Sequence, residues 1–151
     1  MRPLERVVVT GLGVVTSLGL NVPDFWQALL RGQSGIRQIT RFAVDSSAVK
    51  IASLIQDLDI STYIAQKQMR RMSRFAQLAW IAATEAIQDA KLKVTEQLAM
   101  DTGVLLGCGV GGTDDLEEAA QTLEQNGPQD VSPFLVVKMP PNMASYAISK
   151  H

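Results

Sequence analysis

Four cations, Lys67, Arg70, Arg71 and Arg74, fall at i, i+3, i+4 and i+7, the spacing that gathers side chains on one face of a helix. No acidic residue lies between Asp59 and Glu85, so sequence neighbours do not neutralise the patch. Over the whole chain 14 Lys and Arg balance 15 Asp and Glu to a net charge of −1. A run of this kind is commonly a solvated face; in so balanced a chain it equally suits charge-steered docking of an acidic partner. A second candidate is Gly107-x-Gly109-x-x-Gly112, which follows a predicted strand and precedes a predicted helix, as the dinucleotide fingerprint requires. That helix, however, opens with Asp114, Asp115, Glu117 and Glu118, whose carboxylates would repel a pyrophosphate. The acid about 20 positions on is Asp130, which precedes an extended segment instead of ending one. A tight strand-to-helix turn packed against backbone explains the same glycines. Gly11-Leu12-Gly13 has Thr16 where a third glycine belongs.

Cys108, the single cysteine, has no base or cation nearby in sequence and reads as a small buried hydrophobe at a strand end. One cysteine excludes a disulfide framework and a thiolate metal cage. The only histidine, His151, has no argued partner, which excludes a His-paired catalytic couple or a His-based metal site within this sequence.

The elements that must position these residues belong to a soluble, cytoplasmic α/β chain. Its 151 residues suit one domain, 46% apolar residues suffice for a core, and no linker or repeat marks a boundary. The charge balance argues against nucleic acid, and no run approaches the ~20 apolar residues of a membrane span. Arg2 and Arg6 precede Val7-Val8-Val9, but Glu5 and the interruption at Thr10, Gly11 and Gly13 argue against a secretory signal. Residues 6–10 are predicted to form a buried strand, and Asn21 to cap a helix that Gly32 ends. Residues 36–60 read as irregular or weak strand. The stretch from Ser61 to about Leu92 reads as mostly buried helix, with apolar residues at three- and four-residue spacing and a narrow polar strip of Gln77, Thr84, Glu85 and Gln88. A second buried strand, Thr102 to Leu106, leads into the glycine turn and an acidic helix from Asp114 to about Gln125. An extended piece, Val131 to Val137, and a last helix after Pro140-Pro141-Asn142 complete the order, that helix running to the last residue without a stop signal.

Val7-Val-Val-Thr-Gly-Leu-Gly13, Thr16-Ser-Leu-Gly19 and Phe25-Trp-Gln-Ala-Leu-Leu-Arg-Gly-Gln-Ser-Gly-Ile36 resemble the opening of type II β-ketoacyl-[acyl-carrier-protein] synthases. The likeness continues in register through Met72 to Ala90, Gly103 to Gly112, Asn126-Gly-Pro128, Ser132-Pro-Phe134 and Asn142-Met143. It implies a thiolase-like α/β fold, of which residues 1–151 form the first part of the N-terminal half, an incomplete sheet flanked by helices. It implies condensation of an acyl group with malonyl carrier protein, without a cofactor, in fatty-acid or polyketide synthesis. The partners implied are acyl carrier protein and acyl and malonyl thioesters, with homodimerisation of the full-length enzyme. The nucleophilic cysteine, two histidines and a lysine of such enzymes would follow His151, so no catalytic residue is assigned here and the chain alone is expected to be inactive. A non-catalytic chain-length-factor-like relative, or a remnant that depends on a partner, is the alternative.

By the same resemblance Val110 lies at the acyl-pocket wall, and Leu135 and Val136 lie where the dimer interface reaches the partner's pocket. Lys67, Arg70 and Arg71 match the basic patch that receives the acidic carrier. Two departures stand out. Gln129-Asp130 replace a second basic pair, which should weaken or move the docking footprint, and Met139-Pro140-Pro141 replace a more open polar segment. Strands without neighbours and helices with uncovered apolar faces should leave the chain poorly stable or prone to aggregate by itself. Calorimetry is expected to show a broad or irreversible transition; a sharp two-state melt of a soluble monomer would refute this.

Overall fold

The structure, a computed structural model, describes residues 6–150. Arg2, Glu5 and His151 lie outside the described residues. The chain forms two compact units, residues 1–56 with 82–93, and residues 57–81 with 94–151. One long helix contributes to both, so no linker separates them in sequence.

In the first unit, α1 (Val22–Leu30) starts as its sequence requires. The Asn21 carboxamide oxygen accepts the Asp24 N–H at 2.9 Å, Pro23 sits in the first turn, and Gly32 ends the helix at φ +62°. Two short strands follow, β1 (Ile36–Gln38) and β2 (Ile51–Ser53), paired antiparallel with Ile36 opposite Ser53. They are the weak strand expected between 36 and 60, and the Ser17 and Ser53 hydroxyls meet at 2.6 Å beside them.

Among the described residues the N-terminal segment forms no strand and joins no sheet. A Cβ on Gly13 would lie 1.9 Å from the Ala82 carbonyl oxygen, and one on Gly11 would lie 2.2 Å from that of Ala86. Only glycine facing alanine permits this approach to α3 (Arg74–Asp89). The helix also supplies hydrogen-bond acceptors. Glu85 Oε2 accepts the Val14 N–H and Oε1 the Val22 N–H, both at 2.8 Å, and Asp89 Oδ2 accepts the Leu12 N–H at 2.9 Å. Within the polar strip, the Glu85 carboxylate thus satisfies backbone that lacks a neighbouring strand.

In the second unit the 3-10 turn Ile60–Thr62 is capped by Asp59, whose Oδ1 accepts the Ser61 hydroxyl at 2.6 Å and its N–H at 2.9 Å. These bonds hold the Asp59 carboxyl below the usual carboxylate range. After it come α2 (Gln66–Met69), the first half of α3, α4 (Glu96–Asp101) and α5 (Thr113–Asn126). A 3-10 turn at Pro128–Asp130, α6 (Leu135–Lys138) and α7 (Met143–Ser149) complete it. Ile60, Ile64, Met72, Ala76, Trp80, Ala144 and Ala147 form its buried apolar interior.

Three expectations are corrected. Residues 6–10 and 102–106 form no buried strands: Val7 is 95% and Leu105 100% exposed, because β1 and β2 pair only with each other among the described residues. The helical stretch 61–92 is broken at 70–73, where the Gln77 side-chain amide donates to the Met69 and Met72 carbonyls at 3.2 and 3.0 Å and Ser73 turns inward. Most of α3 is half-buried, with only Ala76, Trp80 and Ile81 fully buried. Finally, 131–137 is not extended, since Leu135 begins α6 with its N–H on the Ser132 carbonyl at 3.1 Å.

Replacing Gly13 by Ala should destabilise the first unit by about 1–3 kcal/mol through overpacking against backbone. Glu85→Ala should leave the Val14 and Val22 amides unpaired. Hydrogen exchange checks both: the two amides are expected to lose protection in Glu85→Ala and largely retain it in the control Gln88→Ala.

Candidate functional site

The buried hydroxyl of Ser73, 1% exposed, lies at the corner between α2 and α3. It is hydrogen-bonded to the Asp115 carboxylate on the first turn of α5, and its oxygen is 2.7 Å from the Lys138 carbonyl oxygen at the end of α6. Asp115 in turn forms a salt bridge with the Lys138 ammonium, and both side chains are largely shielded. Beside this knot the Gly112 N–H donates to the Met139 carbonyl at 2.9 Å. A Cβ on Gly111, at φ +90°, would lie 2.4 Å from that same oxygen, so the glycine pair lets the 139–141 segment pass. Pro140 adds a turn, its carbonyl accepting the Met143 N–H at 3.0 Å as α7 begins. The glycine turn is thus packed against the chain's own 139–141 segment, the close backbone approach that explains Gly111 and Gly112 without a nucleotide.

Next to the knot a cleft of about 530 Å³ opens between the 65–76 segment and α7. Met72, Ala76, Met143 and Ala147 give it apolar walls, and Lys67, Arg71 and Lys150 bring positive charge. Among the described residues no Asp or Glu lines it. A second hollow, about 580 Å³, shares Arg71, Met143 and Tyr146 and adds Pro133, Phe134 and Val137. The Arg71 guanidinium lies 5.5 Å from the Phe134 ring centroid, and the Lys150 ammonium 5.8 Å from that of Tyr146.

The four-cation helical face is not formed. Lys67 is in α2, Arg70 follows its last turn, Arg71 lies in the break and Arg74 begins α3. Lys67 and Arg71 meet at the cleft, Arg70 is exposed outside its lining, and Arg74 is half-buried. Lys150 and Tyr146 were not singled out from sequence; Met143, Tyr146, Ala147 and Lys150 recur at helical spacing on α7 and carried that signal. Val110 is 72% and Val136 73% exposed, while Leu135 is half-buried beside Asp115 and Lys138 in a hollow of about 90 Å³. Of the three, Leu135 alone lines any of these hollows. Gln129 bonds the Asn126 carbonyl at 2.9 Å, and Asp130 lines the small hollow with Asp115 and Glu118. Cys108 is a half-buried free thiol. Among the described residues no cluster of His, Cys, Asp and Glu could hold a metal, and no helix is long and apolar enough to cross a membrane.

The backbone has the fold of the N-terminal part of a ketosynthase. It superposes with a TM-score of 0.79 on the ishigamide ketosynthase/chain length factor, at 28% identity over 95% of this chain and 36% of that one. A β-ketoacyl synthase from Burkholderia phymatum STM815 gives 0.77 at 25% identity, covering 97% and 36%. The family described as beta-ketoacyl synthase, N-terminal domain, matches residues 4–151, and the chain belongs to that family. It is 42% identical over 141 residues to a 3-oxoacyl-[acyl-carrier-protein] synthase 2 of Synechocystis sp., covering 93% of this chain and 34% of that one. With the synthase 2 of Staphylococcus aureus (strain COL) the identity is 39% over 145 residues, covering 96% and 35%. The chain spans about a third of the length of the curated relatives it matches.

Removing one partner of the shielded pair by Asp115→Ala should cost about 3 kcal/mol, because the Lys138 ammonium is left without compensation. The double change Asp115→Leu with Lys138→Met should recover most of the loss. Resistance to limited proteolysis is the readout, and equal sensitivity of the single and double variants would contradict the role given to the pair.

Proposed function

We propose that this chain forms the first part of the N-terminal domain of a type II β-ketoacyl-[acyl-carrier-protein] synthase, and that its cleft receives the acidic carrier protein. The observation that carries the docking reading is the meeting of Lys67 and Arg71 at a cleft free of carboxylates, joined by Lys150. Complementary charge speeds encounter and selects the partner, while the apolar walls hold what has docked. Arg70, exposed nearby in sequence, adds to the field without lining the cleft.

In the whole enzyme the acyl group passes from the carrier thioester to a cysteine thiol beyond His151, and the carrier thiol leaves. Malonyl carrier protein then loses CO₂, and the resulting carbanion attacks the acyl thioester. The cysteine departs as thiolate, giving 3-oxoacyl carrier protein, with histidines beyond this chain stabilising the developing negative charge. Val110 belongs to the acyl-pocket wall in this reading, and its small side chain leaves room for medium or long chains. Leu135 and Val136 belong to the homodimer interface in this reading; the exposure of Val136 leaves it available for such a contact. The cytoplasm is the compartment proposed, and this chain alone is inactive for want of a nucleophile.

The docking reading is tested by titrating isotope-labelled carrier protein with the chain and following its amide resonances. Saturable shifts on the carrier's acidic surface are expected. Lys67→Glu with Arg71→Glu should weaken them by about tenfold or more, the equivalent of ~1.4 kcal/mol. Raising salt should weaken the unaltered complex as well. Undiminished binding by the double variant would overturn the reading. For the condensing role, the coding sequence past the His151 codon is expected to run in frame to a cysteine and later two histidines. Another residue in the cysteine's place would select the non-catalytic relative.

A further inference from the structure

We propose that the cleft between the 65–76 segment and α7 is also a binding site for a free long-chain fatty acid, its aliphatic tail against the methionine and alanine walls and its carboxylate at the cationic side chains. The volume, about 530 Å³, is within the range of small-molecule sites. The walls combine two methionines, Met72 and Met143, with the buried faces of Ala76 and Ala147. Methionine side chains adapt to a flexible chain more readily than branched residues do. Polarity decides the head group. Lys67, Arg71 and Lys150 line the cleft without a carboxylate partner among the described residues, none of whose acids lines it. A neutral alcohol would leave these charges unmatched, and a cationic amphiphile would be repelled.

The arrangement is also partly preorganised. Arg71 packs over the Phe134 ring and Lys150 over that of Tyr146, which restricts two long side chains before any ligand arrives. Binding of the acid itself does not depend on the carrier reading. Only its consequence does: a fatty acid seated at Arg71 would compete with the carrier for the same cations.

The test is isothermal titration of the chain, at low micromolar concentration, with dodecanoate kept below its micelle threshold. Saturable 1:1 binding is expected. 1-Dodecanol and dodecyltrimethylammonium, with the same tail, should bind at least about tenfold more weakly. Lys67→Glu with Arg71→Glu should lower dodecanoate affinity by a similar factor, and Ala147→Phe should abolish binding by filling the cleft. Circular dichroism verifies that each variant is folded, and the surface double variant stands alone should Ala147→Phe fail to fold. Equal binding of the three amphiphiles, or binding unchanged in the double variant, would overturn the proposal and move the tail to exposed apolar segments such as Val7–Val9. Displacement of labelled carrier by dodecanoate is the separate competition measurement. Carrier binding without dodecanoate binding would refute this inference and leave the docking reading intact.

Discussion

Everything near the cleft depends on a polar knot that the apolar interior must tolerate. The Ser73 hydroxyl, the Asp115 carboxylate and the end of α6 meet where three separate stretches of the second unit converge. Each group alone would be costly to bury; together they satisfy one another, and the cost becomes geometric selectivity. The knot fixes the corner that carries Arg71 and Met72 on one side. On the other it holds the 138–141 segment from which α7 departs with Met143 and Tyr146. Gly111 and Gly112 are the steric condition for this, since a Cβ at either would collide with Met139 or Ser73. The cleft is thus a consequence of how a serine and an aspartate are paired, and its cations sit on a corner held from within.

The first unit solves a different problem with related means. An extended segment of valines and glycines has backbone N–H groups that a neighbouring strand would ordinarily accept. Here α3 stands in for that strand, through the Glu85 and Asp89 carboxylates and through an alanine face close enough for glycine backbone to lie on. The substitution stops at Leu12. Upstream, Val7–Val9 have no such acceptors in the hydrogen bonds of this segment and are exposed. Strand propensity describes a residue's fit to a pleated surface and cannot supply the surface.

This divides what could be read from the sequence from what could not. The caps of α1, the acidic α5 and the start of α7 were legible, because each is decided by a few residues in sequence order: Asn21, Gly32, Gly127 and the Pro140-Pro141 turn. The family and its fold were legible from motifs spread along the chain, and the matched family model over residues 4–151 agrees. Tertiary contacts were not. The sequence places Glu85 in a polar strip and no further, because helical periodicity cannot distinguish a carboxylate facing water from one facing unpaired backbone. The break at 70–73 was missed because its causes are the Gln77 amide and the Asp115 carboxylate, the latter more than forty positions away. Met139-Pro140-Pro141, odd in the sequence, acquires a physical role only once Gly111 and Gly112 lie against it.

The break also changes the electrostatic argument. On one continuous helix four cations would form a long stripe facing water, a surface that attracts acids from a distance but holds them weakly, because each charge remains solvated. Turning the chain at Ser73 removes Arg70 and Arg74 from the lining and brings Lys67 and Arg71 beside Lys150, over apolar walls. Three charges then converge on one cleft, where a single anion can meet more than one of them. Outlying Arg70 still contributes to the approach of a partner. One sequence run thus places its cations on different surfaces, and the residue at which they divide is the serine whose hydroxyl is buried.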